Sequence, residues 1–159
     1  MKYAYLLLTL LLMNISSAQE TTTIYLIRHA EKADTSPDTE LSETGKERAQ
    51  KWKTYLNDKN IEAIYSTPYK RTTATAEPMA IARGINITSY NPAEMDLKAI
   101  AEKHKGKGIL IVGHSNTLPK YVNKLLRENQ YPDIDESEFG SVYIVTINGD
   151  TVTHRLEKL

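Results

Sequence analysis

A chain of 159 residues with 40% hydrophobic and 25% charged residues has the make-up of a single globular domain. Its 20 basic residues are balanced by 20 acidic ones, which excludes the global positive field of a nucleic-acid binder. Cysteine is absent, and with it disulfides, thiol nucleophiles and thiolate metal sites.

In chain order, Lys2 precedes an almost wholly apolar run over 3–13, and Ser16, Ser17 and Ala18 supply small residues after it. These three regions read as a secretory signal peptide over 1–18, whose apolar part is shorter than the ~18–20 residues a membrane span requires. The expected mature domain is 19–159, secreted or periplasmic and with no stable membrane association. It loses only Lys2, leaving 19 basic and 20 acidic residues and a formal charge of −1. Any anion it handles must therefore be held by a local cluster.

The mature part alternates β-branched runs with helical spacing. A strand is predicted at 23–27, ending on Arg28 and His29. A helix follows, with Ser42 as its N-cap, Glu43 and Glu47 in its first turns, and Ala49, Trp52 and Leu56 on one face. A second strand at 61–65 leads through Thr67-Pro68-Tyr69-Lys70 to Arg71 and a helix over 69–83, which Pro78 should kink. Strands at 85–90 and 109–112 come next, the latter ending on Gly113-His114. Asn116 then caps a helix carrying Leu118, Tyr121, Val122, Leu125 and Leu126. Two final strands, 142–147 and 151–154, are joined by Asn148-Gly149, a type I′ hairpin signal. Alternating strands and helices favour a largely parallel sheet.

Ligands of an open parallel sheet bind beyond the carboxyl ends of its strands. Arg28, His29, Arg71 and His114 all lie at such ends. Two arginines can grip phosphate oxygens through paired hydrogen bonds, and a neutral imidazole can act as nucleophile. A helix starting near Asn116 would add its positive end to the same anion site.

Four segments carry a resemblance: Arg28-His29-Ala30-Glu31, Leu41-Ser42-Glu43-Thr44-Gly45, Ser66-Thr67-Pro68-Tyr69-Lys70-Arg71-Thr72 with Thr75-Ala76, and Gly113-His114-Ser115-Asn116. Together, and in this order, they resemble the histidine phosphatase superfamily, also called phosphoglycerate mutase-like. The resemblance implies a three-layer α/β/α sandwich with a mostly parallel mixed sheet. It further implies a phosphomonoesterase working through a phosphohistidine on His29, with Arg28, Arg71, His114 and Asn116 binding the phosphoryl group and neither metal nor cofactor required. The expected substrate is a small phosphorylated metabolite or a phosphoprotein.

Two departures stand out. Ala30 occupies a position where the family has glycine. Only the 42 positions from 72 to 113 separate Arg71 from His114, which leaves no room for large lid insertions. The chain thus resembles the small phosphohistidine-phosphatase-like branch. For the proton donor to the leaving group, Glu94 ranks first, with Glu31 and Asp96 as alternatives. A catalytically silent phosphate-binding module and a phosphoglycerate mutase-like phosphotransferase are the competing functions. Sequence does not set the oligomeric state.

Overall fold

The run Thr22–Arg28 forms strand β1, in which Ile24 and Leu26 face one way and Tyr25 and Ile27 the other, all of them buried. A strand apolar on both faces belongs in the middle of a sheet covered on both sides. The computed structural model, which describes residues 20–159, has that arrangement; the leader expected over 1–18 lies outside the described residues.

Along the chain follow α1 (Glu43–Leu56), β2 (Ile61–Ser66), α2 (Lys70–Arg83), β3 (Ile87–Ser89), α3 (Leu97–Lys103), β4 (Gly108–Gly113), α4 (Leu118–Leu126), β5 (Ser141–Asn148) and β6 (Thr151–Lys158). The six strands form one sheet in the order β3-β2-β4-β1-β5-β6. The first four run parallel, while β5 and β6 are antiparallel. Tyr25 and Ile27 pack with Trp52 and Leu56 of α1 and Met79 of α2. Ile24 and Leu26 pack with Leu97 of α3 and Tyr121 and Val122 of α4. The result is the expected three-layer sandwich. Helices change face because the chain moves outward from β1 to β3 and then returns to β4, and right-handed crossovers in opposite directions lie on opposite faces.

Ser42 caps α1 as predicted, its Oγ accepting from Gly45 N at 3.1 Å. The loop before it folds back onto the helix: Ser42 N donates to Glu31 O at 2.9 Å, and a Cβ on Gly45 would lie 2.3 Å from that same carbonyl. Gly→Ala inside a helix ordinarily stabilises. Here Gly45→Ala should instead lower stability by about 1–3 kcal/mol, because backbone has to shift. The midpoint of denaturant unfolding measures this, and a midpoint at or above wild type would show that the loop is not held against α1.

Helix α2 spans Lys70–Arg83 with Pro78 inside it and Thr75, Ala76, Met79 and Ala80 on its buried face. Two local expectations need correction. The last hairpin turns on Gly149-Asp150, since Asn148 is still paired with Thr151. Only Gly149 of that pair takes positive φ, at 59°, so the turn is not type I′. Helix α4 begins at Leu118 with Thr117 at its cap; Thr117 N and Leu118 N both return to His114 O at 3.3 Å, so Asn116 lies in a tight turn and is not the cap.

Candidate active site

The pairing of β1 with β4 sets Arg28 beside Gly113, and His29 N donates to Gly113 O at 2.9 Å. The exits of these strands, together with that of β2, therefore open into one place. A cleft of about 640 Å³ lies there, lined among others by Arg28, His29, Arg71, His114 and Asn116. All five residues expected to form the phosphate pocket meet in it.

His29 is 4% exposed, with its ring centroid 5.5 Å from that of His114. Its Nδ1 lies 2.8 Å from Ala30 O. A carbonyl only accepts, so Nδ1 carries the hydrogen and Nε2 keeps its lone pair. Burial, reinforced by the charges of Arg28 and Arg71, pushes the His29 pKa down to about 4. His114 is likewise pushed down to about 4 by burial and then by Arg71 and Arg28. Both rings are neutral near pH 7, and the His29 ring is an available nucleophile.

Neighbouring hydroxyls and aromatics fix this geometry. Thr67 Oγ1 hydrogen-bonds His114 Nε2 at 2.9 Å, leaving Nδ1 of that ring for the cleft, and Tyr69 packs edge-on against it at 5.3 Å. The buried Thr75 hydroxyl accepts from Ala30 N at 2.9 Å and donates to Arg71 O at 2.7 Å, tying the loop after His29 to α2. The methyl group of Ala30 is fully buried against Leu41 and Ala49, so the position has a small apolar pocket of its own.

The two arginines are held differently. Arg71 stacks over Tyr69, its Cζ 4.4 Å from the ring centroid, and donates one Nη1 bond to Pro37 O at 2.9 Å. Arg28 is 2% exposed, and its Nη1 donates to the carbonyls of Asp135, Glu136 and Glu138, each at 3.0 Å. Its Nη2 donates to Glu136 Oε2 at 2.7 Å, and Phe139 lies on the guanidinium face at 4.3 Å. Both terminal nitrogens of Arg28 thus have protein acceptors, because the 135–139 segment folds across this side chain. The Nε atoms of Arg28 and Arg71 are buried and without a hydrogen-bond partner among the described residues, a state that an anion in the cleft would relieve.

The acid candidates fall elsewhere. Glu94 borders a separate hollow beside Tyr90 and accepts from Asn91 Nδ2 at 2.9 Å. Asp96 caps α3 through Lys98 N and Ala99 N. Glu31 is locked to Arg48 through Nε and Nη2 at 2.6 to 2.9 Å, a fork that leaves its carboxylate no freedom. None of the three lines the phosphate cleft. The carboxyls that do are Asp133 and Glu136, both from the segment 127–140, which shows no strand or helix periodicity. Four acids in Asp133-Ile134-Asp135-Glu136-Ser137-Glu138 look like a solvated loop; what could have marked Glu136 was its place just before the strand that pairs with β1.

Taken together, the cleft offers a neutral nucleophile on its floor and fixed cationic and hydroxyl groups around it, suited to a tetrahedral oxyanion. Residues 24–92 match the family model of the histidine phosphatase superfamily (branch 1). Solved structures agree in fold. YhfR of Bacillus stearothermophilus superposes with a TM-score of 0.70 at 21% identity, over 86% of this chain and 96% of that one. A phosphoserine phosphatase mutant from Entamoeba histolytica, in complex with phosphoserine, gives 0.65 at 16% identity, over 84% and 94%. A protein from Agrobacterium tumefaciens assigned as a phosphohistidine phosphatase, SixA, gives 0.62 at 19%, over 86% and 98%. No curated protein matches the chain at a significant level.

Proposed function

Because residues 24–92 match the family model of the histidine phosphatase superfamily and the fold agrees, we propose that the chain is a member of that superfamily, a metal-independent phosphomonoesterase in which His29 takes the phosphoryl group and water then releases it. The observation that carries this reading is the state of His29: buried, neutral, its Nδ1 committed to Ala30 O, and placed in one cleft with Arg28, Arg71 and His114. A neutral imidazole shares no proton that must be removed before attack. Charge spreading onto the equatorial oxygens of the transferred group meets Arg71, the free Nε of Arg28 and His114, which are oriented before substrate arrives.

The cleft suits a small phosphorylated metabolite or the phosphorylated side chain of a protein. Phosphoserine and phosphohistidine, the groups in the names of two fold neighbours, are the first candidates. With residues 1–18 removed as a signal peptide, the enzyme would act in the periplasm or outside the cell.

Phosphate release from an aryl phosphate in the presence of EDTA tests this reading. Turnover should be undiminished, because the guanidinium groups of Arg28 and Arg71 supply the charge that meets a phosphate, and of the two carboxyls lining the cleft Glu136 is already paired with Arg28. Activity that vanishes with EDTA and returns with a divalent metal would overturn it.

A further inference from the structure

Two carboxyl groups line the phosphate cleft, those of Asp133 and Glu136. Glu136 is built into it: Oε2 accepts from Arg28 Nη2 at 2.7 Å and Oε1 from Ser115 Oγ at 2.6 Å, so the carboxylate bridges the residues beside both site histidines. Asp133 has only Lys120, 4.0 Å away. The 4% exposed His29 forms the floor, whereas the Glu136 side chain is 75% exposed and sits at the mouth. In-line transfer sends the leaving oxygen away from the nucleophile, hence from floor towards mouth. We propose that Glu136 is the catalytic proton donor to the leaving oxygen, and that the substrates needing it are alkyl phosphomonoesters, whose alkoxides do not depart unprotonated; this rests on the phosphatase reading above.

The proton balance closes without a further reactant. At rest the Ser115 hydroxyl, then the Arg28 charge, keep the Glu136 carboxyl below its usual range, with Lys32 adding to the effect. Across the cleft, Asp133 is the opposing charge and the His29 and His114 rings are neutral. A phosphomonoester monoanion docking among the arginines is favoured as the dianion and passes its proton to Glu136, a carboxylate lining the same cleft. His29 Nε2 then bonds to phosphorus as the ester P–O bond breaks, and the leaving oxygen takes the proton from Glu136 to become the alcohol. In the second half, the Glu136 carboxylate accepts a proton from water as the water oxygen displaces His29 from phosphorus. That proton leaves with the product as dihydrogen phosphate.

The test compares Glu136→Gln and Asp133→Asn on an alkyl ester, phosphoserine, and an activated aryl ester, p-nitrophenyl phosphate, with His29→Ala run alongside. Glu136→Gln should cut kcat/KM on phosphoserine by about 10²–10³-fold. On the aryl ester its loss should be at least about tenfold smaller, because that leaving group needs no proton; Asp133→Asn should show no such split. Equal losses of Glu136→Gln on both esters would overturn the proposal and make Glu136 a positioning residue for Arg28. A split appearing in Asp133→Asn would move the role to Asp133. Activity persisting in His29→Ala would overturn the nucleophile assignment itself, and a wild-type chain inactive on both esters would overturn the phosphatase reading and this proposal with it.

Discussion

Replacing His29 with alanine is expected to lower phosphate release by a thousandfold or more and to abolish any acid-labile phosphoenzyme. The magnitude follows from what is removed. Covalent catalysis splits the transfer into two easier steps, and its loss at about 4 kcal/mol or more of barrier corresponds to that factor. Among the described residues the nearest ring, His114, is held through Nε2 by Thr67, with its centroid 5.5 Å away. Quenched-flow labelling followed by mass spectrometry locates the phosphoryl group. A label on His114, or near-normal turnover in His29→Ala, would refute the mechanism. The pH profile gives a second reading. Because burial holds the free His29 ring neutral down to about pH 4, the acid limb of kcat/KM should fall well below the ordinary imidazole value near 6.5, with protonation below that limb removing the nucleophile.

The second large effect belongs to Arg28. Arg28→Ala should lose both activity and stability, the first by about a hundredfold or more and the second by about 2–4 kcal/mol. The stability loss comes from three loop carbonyls left without their donor and from the face of Phe139 left without its guanidinium cover. The pair with Glu136 contributes little to that figure, since the carboxylate is largely in water. Arg28→Lys keeps the charge but places one ammonium where a planar fork reaches four acceptors, so it should remain destabilised. Arg71→Ala forms the contrast: it gives up one bond to Pro37 O and its stacking on the exposed Tyr69, and should cost activity with little change in melting temperature. Thermal denaturation beside kcat/KM separates the two arginines. A wild-type melting temperature in Arg28→Ala would show that the 135–139 segment does not depend on it.

The histidines and arginines were legible because each follows a strand whose apolar pattern is unambiguous, and parallel strands have only one end at which to gather them. Ile24 to Ile27 and Ile109 to Val112 could be placed as central strands by their two-sided apolarity alone. The segment around Glu136 was not legible, since it has no periodicity and its position is set by the carbonyls it presents to the Arg28 guanidinium rather than by local propensity. The acid candidates lie outside the cleft for a related reason. Glu94 and Asp96 follow a strand exit in sequence, but the Glu94 carboxylate is taken by the Asn91 side chain and that of Asp96 by the cap of α3. Glu31, adjacent to the nucleophile's loop, was claimed by Arg48 from α1, a partnership 17 residues away that no motif announces.

The placement of β1 between β4 and β5 sets how the site moves. Amides of a strand paired on both sides open to solvent only when the sheet itself comes apart, so the floor that carries His29 shares the free energy of global unfolding. The rim has no such two-sided pairing: the segment bearing Glu136 is held by its contacts to Arg28 and Ser115 and can open in small excursions without disturbing a strand. On the proposed function, the floor would stay in place between turnovers while the lip opens to admit an ester and release its alcohol.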